Sequence, residues 1–165
     1  MAGTSTPALA AQVCNAGALG SLALGAIGPD EARRQIADLK SRTDRPFNLN
    51  LFVHATPQAD PAGERAWLDA LAPLFREHGA EPPAALETIY DSFAGNAAML
   101  EVVLEAKPAV VSFHFGLPGP EAIAALKAAD CLLLGSVTSQ PSADVMAGAG
   151  INFRGDGGAL VIRIP

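Results

Sequence analysis

Val111-Ser112-Phe113-His114-Phe115-Gly116-Leu117-Pro118 reads as an apolar strand that delivers one polar ring and then breaks. Its β-branched and aromatic residues favour extended backbone. Gly116 and Pro118 then halt the ladder before a helix that the pattern predicts over 120–129. Upstream, Leu100, Val103 and Leu104 recur at helical spacing within a helix predicted over 94–106. Downstream, Cys131 to Val137 is again a strand. Strands separated by helices must run parallel, because each returns through a crossover. Parallel α/β proteins place their ligands at the carboxyl ends of the strands, and His114 stands at such an end. It is either a site residue or a core histidine satisfied by a backbone carbonyl.

The same alternation extends towards the amino end. Thr6 and Pro7 are a good N-cap and a good first helical residue, so a helix is expected from Pro7 to Ala16, closed by Gly17. Leu19 to Leu24 follows as a buried strand. Pro29 opens a second helix with Asp30 and Glu31 in its first turn. Ala32, Ile36 and Leu39 are its expected inner stripe. Phe47 to Val53 is a strand whose nearly continuous apolar character fits cover on both faces. After Pro61, Trp67, Leu71, Leu74 and Phe75 define a third helix. The count is four clear strands.

Beyond Thr138 the pattern changes, which divides the chain into residues 1–138 and a tail at 139–165. A short helix over Ala143 to Ala149 and a last strand over Ala159 to Ile164 are expected there. Gly155-Asp156-Gly157-Gly158 is a turn feeding that strand or a phosphate loop, although no helix follows to supply N-terminal amides.

Composition narrows the function classes. The chain has 165 residues, half of them hydrophobic, yet no apolar run approaches the ~18 residues of a membrane helix. A net charge of −6 and the lack of any Lys/Arg block argue against nucleic-acid and anionic-membrane partners. Cys14 and Cys131 are isolated thiols, unlike a disulfide scaffold or a zinc site. A reducing, cytoplasmic setting is the simplest reading. His54 reads as a solvated loop residue, and His78 as a complement to a helix dipole. The three histidines lack metal-ligand spacing, so no metal site is expected.

Three positions carry candidate chemistry at strand ends. Asn50, in Phe47-Asn48-Leu49-Asn50-Leu51-Phe52, must find partners for its amide donors and its carbonyl. A cofactor edge that mixes donors and acceptors, such as a flavin ring, would satisfy it, and so would a neighbouring loop. His114 is the second. Gly135-Ser136 is the third, where a small residue lets a ligand approach the backbone or simply makes a turn.

These segments together resemble the nitronate monooxygenases, formerly grouped as 2-nitropropane dioxygenases. Met1-Ala2-Gly3-Thr4-Ser5-Thr6-Pro7-Ala8-Leu9-Ala10 looks like the family's first motif entered partway, with Asn15-Ala16-Gly17-Ala18-Leu19-Gly20-Ser21 as its continuation. Phe47 to Phe52 is similar to the second motif and Val111 to Pro118 to the third. The resemblance implies an α/β fold of the (β/α)8 TIM-barrel type, of which this chain carries the first part. It implies FMN at the carboxyl ends of the strands and oxidation of alkyl nitronates by O2 to a carbonyl compound and nitrite. By the same analogy Met1, Ala2 and Gly3 match a turn beside the flavin, Asn50 a flavin-contacting asparagine, and His114 a histidine on the substrate side of the ring. Gly135 and Ser136 join the cofactor-binding set.

Departures accompany the match. The family's Ala-Gln-Gly…Gly-Gly-His segment, which carries its catalytic histidine, has no counterpart here. A whole barrel takes about 250 residues, so a partial one exposes strand edges that invite pairing with a second copy or with a barrel-completing chain. Two alternatives follow: a non-catalytic fragment that assembles with another chain, and a flavoprotein like the enoyl-thioester reductases, whose opening motifs are similar.

Overall fold

The computed structural model describes residues 3–155 and 161–162. They fall into two compact units, Thr56–Ile89 and the remainder.

The larger unit is a helix-backed sheet. Its order is α1 (Pro7–Asn15), β1 (Gly20–Ala23), α2 (Pro29–Arg42), β2 (Phe47–Phe52), then α4 (Ala97–Ala106), β3 (Val110–His114), α5 (Pro120–Ala128), β4 (Leu132–Val137), α6 (Gln140–Gly148), β5 (Asn152–Gly155) and β6 (Val161–Ile162). The helix between β2 and α4, α3 (Pro61–Glu77), belongs to the smaller unit. In the sheet, β1 to β5 lie in strict chain order, each parallel to the next, and β6 is antiparallel to β5. A doubly wound sheet reverses its order partway and covers both faces with helices. Here the order never reverses, which is the winding of a barrel. The fold is therefore α/β, a partial TIM-type barrel.

Four strands were expected and five parallel ones are found. The fifth, β5, lies within the stretch read from sequence as tail, where α6 and β5 continue the alternation past Thr138. A four-residue strand after a Gly-containing turn offers little periodicity to read. Residues 156–158 of the Gly-rich piece lie outside the described residues.

Helix ends follow local chemistry. Thr6 caps α1 by accepting from the Leu9 amide at 3.2 Å, with Pro7 in the first turn; such a cap contributes about 1 kcal/mol. Asn96 caps α4 through the Met99 amide at 2.9 Å. Ser139 and Ser142 form a capping box on α6. In α2 the predicted stripe of Ala32, Ile36 and Leu39 is buried. Near its start, hydrogen bonds from Gln35 and Arg34 hold the Glu31 carboxyl below its ordinary range.

The third helix forms where the spacing predicts it. Leu68 is its buried residue, while Trp67 and Leu74 are more than half exposed. The unit Thr56–Ile89 holds a single helix, so it has no second element of its own against which to bury a stripe.

The register sorts side chains between the two sheet faces. Leu22 pairs with Leu49, Leu49 with Val111, and Val111 with Leu133. These residues are all buried and, with Phe47, Leu51 and Phe113, build the core under the helices. Gly20 and Gly135 lie on this face. A Cβ on Gly20 would strike Ala10 and Cys14 of α1, and one on Gly135 would strike Met146 of α6. The alternate residues point the other way.

Candidate functional site

The face away from the helices carries the polar residues. Register pairs Ser21 with Asn48, Asn50 with Ser112, and Phe52 with His114. Partners in a parallel ladder share a face, and residues two apart on one strand do too. Ser21, Asn48, Asn50, Ser112, His114 and Ser136 therefore project from a single surface. In a closed barrel this surface is the interior.

These side chains are bonded to one another. Asn48 Nδ2 donates to Ser21 Oγ and to Ser112 Oγ, both at 2.8 Å. Asn50 Nδ2 donates to Ser112 Oγ at 2.9 Å and to the Ser112 carbonyl at 3.4 Å. One strand further, His114 Nδ1 lies 2.6 Å from Ser136 Oγ. Asn48 and Asn50 are buried at 7% and 6% exposure. Buried amides need partners, yet Asn48 Oδ1 is shielded from solvent without one among the described residues.

At the carboxyl end of β3, Phe115 takes φ 73°. The left-handed region is rare for a bulky residue and marks strain worth of order 1–3 kcal/mol. The ring stands edge-on to Phe52 at 5.1 Å, and Phe52 stands edge-on to Tyr90 at 5.9 Å. His114 thus ends its strand beside a small aromatic group. A concavity lined by Leu24, Gly25, Leu51, Phe52, Asp91 and Phe93 has a volume of about 10 Å3, enough for one water. It is too small for a flavin ring.

The other expected positions divide. Ser136 joins the polar face. Gly135 points towards α6, so its missing side chain makes room for Met146, and that is the reason the structure gives for glycine there. Gly3 has φ 76° and open space where a side chain would stand. Ser5, two residues on, donates its hydroxyl to the Ser21 carbonyl. Met1 and Ala2 lie outside the described residues. His54 lies in a loop as expected and is half-buried: its Nδ1 meets the Ala55 carbonyl at 3.0 Å and its Nε2 is enclosed. His78 is the C-cap of α3. Among the described residues no group of three or more His, Cys, Asp or Glu is placed to hold a metal ion, and no helix is long and apolar enough to cross a membrane.

Sequence reasoning passed over Ser21, Asn48 and Ser112. A signal for two of them was present. Asn48 with Asn50, and Ser112 with His114, are polar pairs at period 2 in otherwise apolar strands, a spacing that puts both members on one face.

The chain and its barrel winding have counterparts among known proteins. The nitronate monooxygenase family model matches residues 1–162. A nitronate monooxygenase of Paraburkholderia phytofirmans is 55% identical over 152 residues, which is 92% of this chain and 42% of that protein. One of Pseudomonas aeruginosa is 49% identical over 150 residues, 91% of this chain and 43% of that protein. Among solved structures, a nitroalkane oxidase from Streptomyces ansochromogenes superposes with a TM-score of 0.78 at 36% identity, covering 94% of this chain and 44% of that one. FabK from Thermotoga maritima superposes with a TM-score of 0.62 at 28% identity, covering 94% and 38%. The chain thus spans less than half the length of these relatives.

Proposed function

The chain belongs to the nitronate monooxygenase family, and from that premise we propose that it contributes the flavin-facing strands of an FMN-dependent barrel that oxidises alkyl nitronates with O2. The observation that carries this reading is the placement of Asn50 and His114 on one sheet face, on neighbouring strands, each tied to a serine hydroxyl. A flat heterocycle laid across that face would meet a carboxamide and an imidazole together.

The residues present fit such a ring. Asn50 spends its amide nitrogen on Ser112 and keeps its carbonyl oxygen for a ligand donor. Gly3, Met1 and Ala2 are assigned to the turn beside the ring, and Ser136 to the neighbourhood of His114. The flavin, when bound, supplies the electron acceptance and the oxygen chemistry, which no amino-acid side chain provides. The protein's share is to bind and orient. Ser136 fixes the rotation of the His114 imidazole through Nδ1. The nitronate is an anion. The imidazole is therefore assigned to the substrate side, where an N–H can meet the nitronate oxygens.

The reading includes a partner. β1 stands at the end of the strand order, and its outer ladder groups call for another strand. A second copy, or a chain carrying further barrel strands, would supply it. Cytoplasmic location is part of the same proposal.

The test is direct. Purified protein incubated with FMN and freed of excess should stay yellow and consume O2 when given an alkyl nitronate. A colourless protein that leaves added FMN free contradicts the proposal. NADPH oxidation dependent on an enoyl thioester, with no nitronate turnover, would favour the reductase-like alternative.

A further inference from the structure

Ser112 stands at the centre of the polar row. Its Oγ lies 2.8 Å from Asn48 Nδ2 and 2.9 Å from Asn50 Nδ2. Asn50 Nδ2 also reaches the Ser112 carbonyl at 3.4 Å. A carbonyl oxygen only accepts, so the end of the Asn50 carboxamide that faces Ser112 is its nitrogen. Oδ1 is then the end turned away. The row is held from behind as well, because Ser21 Oγ takes the other hydrogen of Asn48 Nδ2. With both Asn48 hydrogens engaged, its Oδ1 is left enclosed and unpartnered among the described residues. An orphaned acceptor is a cost that a fold carries only when something else is gained. Here the gain is order: no member of the row turns without breaking a bond to the next.

We infer that Ser112 is a positioning residue which, backed by Asn48 and Ser21, sets the Asn50 carboxamide with its acceptor outward, so that the site takes the edge of a ring that offers an N–H. This rests on the flavin reading above. The pyrimidine edge of an oxidised isoalloxazine carries one N–H between two carbonyl groups, and an outward acceptor selects that edge. Sequence alone assigned no role to Ser112. The geometry makes it the hinge pin between two asparagines on the neighbouring strand.

The test has two arms, both on the whole chain. In the first, proton–nitrogen correlation spectra are recorded without flavin. Ser112→Ala should shift the Asn50 side-chain amide signals and leave backbone signals far from β2 and β3 in place. Ser112→Thr, which keeps the hydroxyl, should leave the Asn50 amide close to its original position. An Asn50 amide that does not move in Ser112→Ala overturns the positioning role.

In the second arm, FMN and N3-methyl-FMN are titrated against each protein. The unaltered chain should prefer FMN by about tenfold, as one discriminating hydrogen bond permits. Ser112→Ala should bind both alike, and Ser112→Thr should restore the preference. Equal affinity of the unaltered chain for both flavins overturns the acceptor-outward assignment. If neither flavin binds, the flavin reading itself fails, and the first arm alone upholds or overturns the role of Ser112.

Discussion

The His114 imidazole and the Ser136 hydroxyl meet at 2.6 Å across β3 and β4, Nδ1 to Oγ. This bond ties the third sequence motif to the strand after it, and it fixes the rotation of the ring proposed to face substrate. Ser136→Ala removes the hydroxyl with little change of volume. The His114 Nδ1 resonance should move in nitrogen spectra, nitronate turnover should fall, and FMN affinity should stay within about fivefold, because a neutral hydrogen bond contributes about 1 kcal/mol. Unchanged His114 ring signals would show that the bond does not orient the ring.

Phe115 gives a test of backbone strain. At φ 73° the residue has left-handed backbone, and its ring is 71% exposed. Both Phe115→Ala and Phe115→Gly lose the edge contact with Phe52, so the pair isolates the conformational term. Glycine adopts this φ freely whereas alanine does not. The glycine variant should therefore be the more stable of the two by about 1 kcal/mol in denaturant unfolding. Equal stability, or a more stable alanine variant, would mean that Phe115 stores no strain.

Gly135 tests the packing of α6 on β4. A methyl group there would run into the Met146 sulfur and approach the Ile151 side chain. Overpacking of this kind costs about 1–3 kcal/mol, so Gly135→Ala should lower the thermal midpoint. Met146→Ala in the same chain should return part of the loss, since the two changes share one space. If the two losses simply add, the contact is not the cause.

Cys131 sets an alkaline limit. Burial, reinforced by the neighbouring Asp130 carboxylate, pushes its thiol above the ordinary value of 9.0. A thiol whose folded pKa is raised favours the folded state below its unfolded pKa, and the advantage is lost as pH rises through the folded value. Stability measured from pH 8 upward should therefore fall less steeply in Cys131→Ala than in the unaltered chain, and folded protein should resist alkylation at pH 8, a pH just below the ordinary thiol range. Rapid alkylation without unfolding would contradict this.

Much of the fold was legible because each parallel strand announces itself twice, by its own apolar run and by the helix that must follow. The α2 stripe of Ala32, Ile36 and Leu39 shows how well helical spacing marks a buried face. The α3 helix shows what spacing leaves open. Trp67 and Leu74 have the same spacing, yet their helix stands in a unit with no second element of its own, so periodicity could not settle their burial. The candidate site was legible in its two end members, Asn50 and His114, since amides and imidazoles stand out in apolar strands. Ser21 was not, because a lone serine fits a strand face, a turn or a cap equally well. Only the register that sets Asn50 opposite Ser112 reveals the row. Gly135 shows a related limit: glycine marks close approach, and only the structure shows that Met146 is the group approaching on the helix side.

The central claim is that Asn50 and His114 face one flavin. It is tested most directly by titrating FMN, followed through flavin absorbance, into the unaltered chain, Asn50→Ala and His114→Ala. Saturable binding that weakens about tenfold in Asn50→Ala, as loss of a hydrogen bond in a closed site allows, with nitronate turnover abolished in His114→Ala at near-normal FMN affinity, is the predicted result. FMN affinity unaffected by Asn50→Ala, or no binding by the unaltered chain, would contradict it.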